Sequence, residues 1–320
     1  MPEMKEKYEA TPWKHDVAAQ DLTQALPVRK EPAPSMVLLA AFDRYLSKVC
    51  RVIEAAAAAA WWTKASTAGR ANLLTAGGPM TGQTFTRVPR NPHDILPNSH
   101  WRQVVASRLD CQPIYGYKRC QLRHQQEAED KACGKPLATN PRHSELCKRG
   151  SARIRAHRHL EGAVVHAATS AGMSADTERC IPELYQQLEG KESGAQRVKR
   201  AIMDVVLGAP GIESHMLVDV SIRSVAAARY TGSTVPGHAA HTGEKEKARR
   251  YGTAVLPLIF ESGGRLGARS SESLAQIVAL ASTARLCHPS SVSSWRARCE
   301  RAVLFATADA ALRAVGASVG

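Results

Sequence analysis

The order of segments from Arg153 onward predicts an α/β fold, a central sheet flanked by helices. Three observations carry this expectation. "RIRAHRHLEGAVVHAATSAG" has the apolar spacing of an amphipathic helix and ends at Gly172, a natural helix stop. Three short runs then have strand composition, "DTERCIPEL", "RAIMDVVL" and "HMLVDVSI". After the charged helix "TGEKEKARRYG", "AVLPLIFES" reads as a buried strand and "SSESLAQIVALASTARL" as a further amphipathic helix.

The remaining segments follow in chain order. Residues 1–35 are polar, contain "LPVRKEPAPS", and are expected to be disordered. From Met36, apolar residues at three- and four-residue spacing lead into an alanine run, so 36–110 is expected to be mostly helical. "TAGGPMTG" breaks that pattern as a loop, and Asn98 or Ser99 opens a short helix over "PNSHWRQVVASRLD". Residues 111–150 are rich in Cys, His, Lys and Arg without periodicity, 151–285 hold the α/β domain, and 286–320 form a C-terminal helix. No internal repeat is present.

Composition narrows the function classes. With 320 residues, 44% hydrophobic and 22% charged, the chain is globular. A net charge of +14 favours a polyanionic partner, DNA or RNA. No apolar run approaches the roughly 20 residues of a membrane helix, and the charged start "MPEMKEKYEATPWKHD" lacks a secretory signal. An intracellular protein is expected, with its eight cysteines reduced or bound to metal.

"IMDVVLGAPGIESHMLVDVSI" poses the sharpest question, because each of two apolar runs carries an aspartate, Asp204 and Asp219. An unpaired carboxylate is costly in a core. If the runs pair as a hairpin, the two carboxylates can lie close together and repel unless a cation sits between them. A divalent ion held by one or two carboxylates plus water and phosphate suits that arrangement. The basic helix follows at once, with Lys247 and Tyr251 on one face, and a lysine there could stabilise charge on a phosphate.

The segments "RAIMDVVL", "HMLVDVSI", "EKEKARRY" and "VLPLIFESGGRLG" together resemble the restriction-endonuclease-like domain of non-LTR retrotransposon polyproteins, relatives of the PD-(D/E)XK nucleases. The resemblance runs from about residue 70 to about 285. It implies a restriction-endonuclease-like sheet, preceded by a mostly helical region and a degenerate zinc knuckle. It also implies a metal-dependent DNA endonuclease that nicks a target, with Asp204 and Asp219 on Mg²⁺ or Mn²⁺ and Lys247 as the displaced lysine, followed by Tyr251. His157 falls at the family's helix histidine, and Glu161 and Glu178 are further carboxylate candidates. Two positions depart from the pattern: Met203 stands for the usual proline, and Ser221 stands where related nucleases carry lysine. There is no Tyr-x-Asp-Asp signature, so the chain is read as a C-terminal part of such a polyprotein without a polymerase palm.

In "ACGKPLATNPRHSELCKRG", Cys133, His143 and Cys147 suit a zinc knuckle. Asp130 occupies the position of the expected first cysteine, which leaves Cys120 as the next candidate across a longer loop. Arg153, Arg155, Arg158, Arg249 and Arg250 are candidates for phosphate contact. The resemblance further implies a nuclear or nucleoid-associated location. The alternative is a catalytically decayed remnant that still binds nucleic acid, and the missing cysteine at 130 points that way.

Overall fold

The computed structural model describes residues 59–60, 62–64, 67–76, 95–108, 118–123, 132–138, 142–149, 151–184, 186–188, 197–199, 201–230, 233, 235–288 and 291–316. The expected tail 1–35, the start of the helix at Met36, most of the "TAGGPMTG" loop and Asp130 lie outside these residues. The chain divides at Ser66 into two units, and the architecture below is that of the second, Thr67–Gly320.

That unit is α/β. Helices α1 (Thr67–Ala76), α2 (Asn98–Arg108) and the single turn α3 (His143–Leu146) precede the long α4 (Ala152–Ser170). Strand β1 (Ser174–Cys180), a short pair β2 (Gln186–Leu188) and β3 (Arg197–Lys199), then β4 (Ile202–Gly208) and β5 (Met216–Arg223) follow. Helix α5 (His238–Tyr251) leads to β6 (Val255–Glu261), α6 (Ala268–Thr283) and α7 (Val292–Ala314). The helix, strands, helix, strand, helix order expected from the sequence is present, with the β2–β3 pair in addition, and α1 and α2 lie in the stretch 36–110 that was expected to be mostly helical.

The main sheet has the order β1-β4-β5-β6. β1, β4 and β5 are antiparallel neighbours, whereas β5 and β6 are parallel. A parallel pair needs a crossover, and α5 supplies it. Alternation divides the strand residues between two faces. Val205, Leu207, Val218, Val220, Leu258 and Phe260 join a core with α4, α6 and α7, while Tyr251 and Val255 form a smaller cluster with Met203 and Val206. Fully burying such side chains stabilises the fold by about 1.5–3 kcal/mol each.

The last helix closes that core. Trp295, Cys299 and Val303 of α7 pack into it. Asp309 draws Arg155 of α4 to 3.8 Å, and the carbonyl of Ala314 accepts a hydrogen bond from the Gln121 amide at 2.7 Å. The segments on either side of residues 150 and 285 thus belong to one unit. Among the described residues, no helix is long and apolar enough to cross a membrane.

Candidate active site and metal centre

β4 and β5 form a hairpin in which Val205 faces Val218 and Val206 faces Leu217. One step further along this register, Asp204 faces Asp219. The ladder stops there, and the Val220 amide donates instead to Asp204 Oδ2 at 2.7 Å. Asp219 is only 3% exposed, yet its neighbours Val218 and Val220 point into the core and carry no polar group to meet it.

Helices on both sides of the sheet supply the missing partners. Lys247 of α5 places Nζ 2.5 Å from each oxygen of Asp219. His157 of α4 brings Nε2 to 3.1 Å from Asp204 Oδ1. Tyr251, one turn after Lys247, is buried, and its hydroxyl is pushed up by that burial and by the charge of Asp219.

The electrostatics of the pair are asymmetric. Burial and the facing charge of Asp204 raise Asp219 to about 6 against the pull of Lys247. Burial also acts to raise Asp204, but the hydrogen bond and charge of His157 outweigh it and hold the group below the ordinary aspartate range. His157 is raised by the same bond. Glu161, one turn further along α4, is 8% exposed and raised by burial, and it feels the charges of Asp204 and Glu178.

Glu178 lies beside this group on β1. Thr177 faces Val205 and Arg179 faces Met203, so Glu178 stands opposite Asp204. Its φ is 51°, a left-handed conformation uncommon outside glycine and strained within a strand. The structure therefore assembles His157, Glu161, Asp204, Asp219 and Lys247 around one point, with Glu178 at its rim. Ser221, two residues beyond Asp219, lines an open cleft of about 900 Å³ that runs past His157 to Arg153, Arg223 and Tyr230.

The donor set fits a hard cation. Two carboxylates face each other, one of them held well above its ordinary range by burial and like charge. In this structure their oxygens are engaged by the Val220 amide, His157 and Lys247, and an ion held by two such carboxylates would take water and substrate for the rest of its shell.

The arginines expected on nucleic acid separate into two kinds. Arg153, Arg158 and Arg249 are exposed, and Arg153 borders the cleft. Arg250 lies over the Tyr251 ring at 4.7 Å. Arg155 is engaged inside the protein, donating to Ser151 Oγ at 2.6 Å and pairing with Asp309. A charge count along α4 cannot tell these apart, since the difference lies in which face α7 covers.

A second constellation lies on the knuckle. The backbones of 118–122 and 133–137 form a ribbon, with Cys120 N bonded to Lys135 O and Cys133 N to Leu122 O, each at 2.9 Å. The ligand atoms of Cys120, Cys133, His143 and Cys147 lie within 4.8 Å of one another, a group that could hold a metal ion such as zinc. Cys133 Sγ lies 3.3 Å from His143 Nε2, and Cys120 Sγ lies 3.9 Å from Cys147 Sγ. The hydrogen bond from Cys120 lowers Cys147 to about 5 against its burial and raises Cys120 itself. Three thiols and an imidazole gathered in this way are the donor types that zinc takes. Cys120 thus completes the set that the sequence alone left one cysteine short.

Sequence reasoning missed the polar links around the cleft. Glu246 of α5 joins Arg223 and Arg229 at 3.0 and 2.8 Å. Arg142 and Glu145, on either side of His143, form a buried pair at 2.5 Å. Their i, i+3 spacing was visible in "RHSE", but nothing in the sequence marked these charges as buried. No family model, no curated protein and no solved structure matches the chain.

Proposed function

We propose that this chain is a metal-dependent DNA endonuclease of the restriction-endonuclease-like kind found in non-LTR retrotransposon polyproteins. One observation carries the reading: Asp204 and Asp219 face each other across adjacent strands, with Lys247 delivered onto Asp219 from the crossover helix. The sequence resemblance assigned those roles to these residues, and the helix, strands, helix, strand order suits the proposed fold.

Asp204 and Asp219 would hold Mg²⁺ or Mn²⁺. A bound ion supplies positive charge at the scissile phosphate and a water of lowered pKa. Lys247 carries the positive charge placed to stabilise the developing charge on phosphate oxygens. His157 positions Asp204 through its hydrogen bond. Arg153, Arg158 and Arg249 would contact phosphates outside the reacting centre without reading sequence. Zinc at the Cys120, Cys133, His143 and Cys147 site would take no part in the chemical step.

Nicking of supercoiled plasmid in Mg²⁺ tests the proposal. Asp219→Ala and Lys247→Ala are each expected to lower the rate by about 10²-fold or more, the scale of losing a charge-stabilising group. Wild type and Asp219→Ala nicking at the same rate would overturn it. The alternative, a decayed nucleic-acid-binding remnant, predicts binding without nicking in any of the three proteins. Its motive was the absent cysteine at 130, against which Cys120 stands as a fourth candidate ligand.

A further inference from the structure

Beside the knuckle ligand His143, the chain buries a charged pair that the metal-binding group itself does not include. Arg142 and Glu145 are 6% and 7% exposed at their side chains. Arg142 Nε donates to Glu145 Oε1, and Arg142 Nη2 donates to Ser262 Oγ, both at 2.5 Å. Glu145 Oε2 accepts from Ser224 Oγ at 2.5 Å. Ser224 and Ser262 are the residues that immediately follow β5 and β6. Those two strand ends are tied to each other as well, the Ser262 amide donating to Arg223 O at 2.9 Å. Thr307 of α7 bonds the Ser262 carbonyl at 3.3 Å.

Buried ions are tolerated only where their hydrogen-bonding capacity is met, so this pair is committed to the serines that meet it. α3 cannot hold the pair in place unaided, because it spans four residues and isolated helices shorter than about 12 residues are marginal. α3 packs against α7 and α4, and it has His143 at its first position and Cys147 immediately after its last, both members of the group that could hold a metal. Glu145, Ser224 and Ser262 in turn line the same cleft as Ser221 and His157. Metal ligands, charged pair, strand ends and cleft wall therefore form one continuous chain of contacts.

We propose that Arg142 and Glu145 are positioning residues that transmit zinc occupancy of the knuckle to the cleft, by clamping the ends of β5 and β6 through Ser224 and Ser262. The proposal rests on the endonuclease reading for what the cleft is used for. Zinc would act here as a regulator of cleft shape, through residues other than Asp204 and Asp219.

Hydrogen exchange by mass spectrometry on the full chain tests it, comparing zinc-loaded protein with protein stripped by a chelator. Stripping is expected to speed exchange in 223–226 and 261–264 about tenfold, the effect of losing a charge-assisted bond, while β4 amides keep their protection. The double variant Ser224→Ala with Ser262→Ala should bind zinc as wild type does and yet exchange fast in both segments with zinc bound. Should that variant fail to fold, Ser224→Ala against Ser224→Thr gives the same reading, with the threonine hydroxyl restoring the zinc response. The proposal is overturned if the wild type takes up no zinc. It is also overturned if stripping changes nothing or loosens the whole unit evenly, or if the serine variants keep the wild-type zinc response. Nicking measured on the same samples separates the two ideas. No nicking by any protein sinks the endonuclease reading, whereas the exchange pattern decides the clamp.

Discussion

Asp219 carries the electrostatic cost of the aspartate pair. Its folded pKa of about 6 lies above the ordinary aspartate value near 3.8. Between those values the native state binds more protons than the unfolded chain, so stability falls as pH rises through the window. Glu161 is shifted in the same direction, and the raised His157 adds stability below its ordinary pKa that is lost as pH climbs through its folded value. Asp204 acts oppositely, but its effect lies at pH values below the ordinary aspartate pKa. The metal-free protein is therefore expected to lose on the order of 1–3 kcal/mol between about pH 4 and 6 from Asp219. Denaturant unfolding at several pH values measures this directly. Saturating Mn²⁺ should raise the melting temperature strongly at pH 7.5 and little at pH 5, and Asp219→Asn should remove both effects. A melting temperature insensitive to Mn²⁺ at pH 7.5 would show that the pair holds no cation.

At the scale of elements, α5 matters because it carries Lys247, and its placement depends on a residue far away in sequence. Its N-terminal neighbour, Gly237, provides no side-chain cap. Glu261, at the end of β6 and 1% exposed, accepts from the Ala239 and Ala240 amides at 3.0 and 3.3 Å and does the capping instead. A carboxylate at a helix N-terminus satisfies orphan donors and the helix dipole together. Glu261→Ala is expected to cost about 1–3 kcal/mol by leaving those buried donors unmet. Nicking by the variant should fall even at temperatures where it is fully folded, while Glu261→Gln, which keeps an acceptor, recovers most of both losses. On the other side, Gly243 lets α5 lie close against Ile259, whose atoms would meet a Cβ at 3.0 Å. The strands bearing Asp204 and Asp219, and the helix bearing Lys247, were legible because apolar alternation and helical spacing are local signals. Glu261 as a cap, and Arg142 with Glu145 as a clamp, were not, because their partners lie 21 to 120 residues away. The strain at Glu178 was equally hidden, since "DTERC" reads as an ordinary strand and nothing in it requires a left-handed residue.

For the whole molecule, the net charge of +14 sets how strongly a polyanion is attracted. If the exposed arginines and lysines bind DNA phosphates, affinity should fall by roughly 10³-fold or more between 50 and 200 mM salt, the loss typical of about six or more phosphate contacts. A filter-binding salt series on a duplex of arbitrary sequence checks this, and a flat profile would make the charge incidental. Composition made this property legible at once, but it could not show which charges are committed internally. Arg155 and Arg223 looked no different from Arg153 until α7 and Glu246 were in place.

The position of α7 has a consequence for the order in which the protein can come into being. Trp295, Cys299 and Val303 complete the core, Asp309 secures Arg155, and Ala314 ties the knuckle ribbon. These contacts reach back to α4 and to Gln121, so a ribosome must translate the whole stretch through Ala314 before the aspartate pair or the Cys/His group has its final support. Until then the nascent chain presents an open apolar sheet face, the kind of surface that recruits chaperones. A message truncated before Val292 would yield a chain whose aspartates and cysteines are all present, but which lacks the last wall needed to hold them.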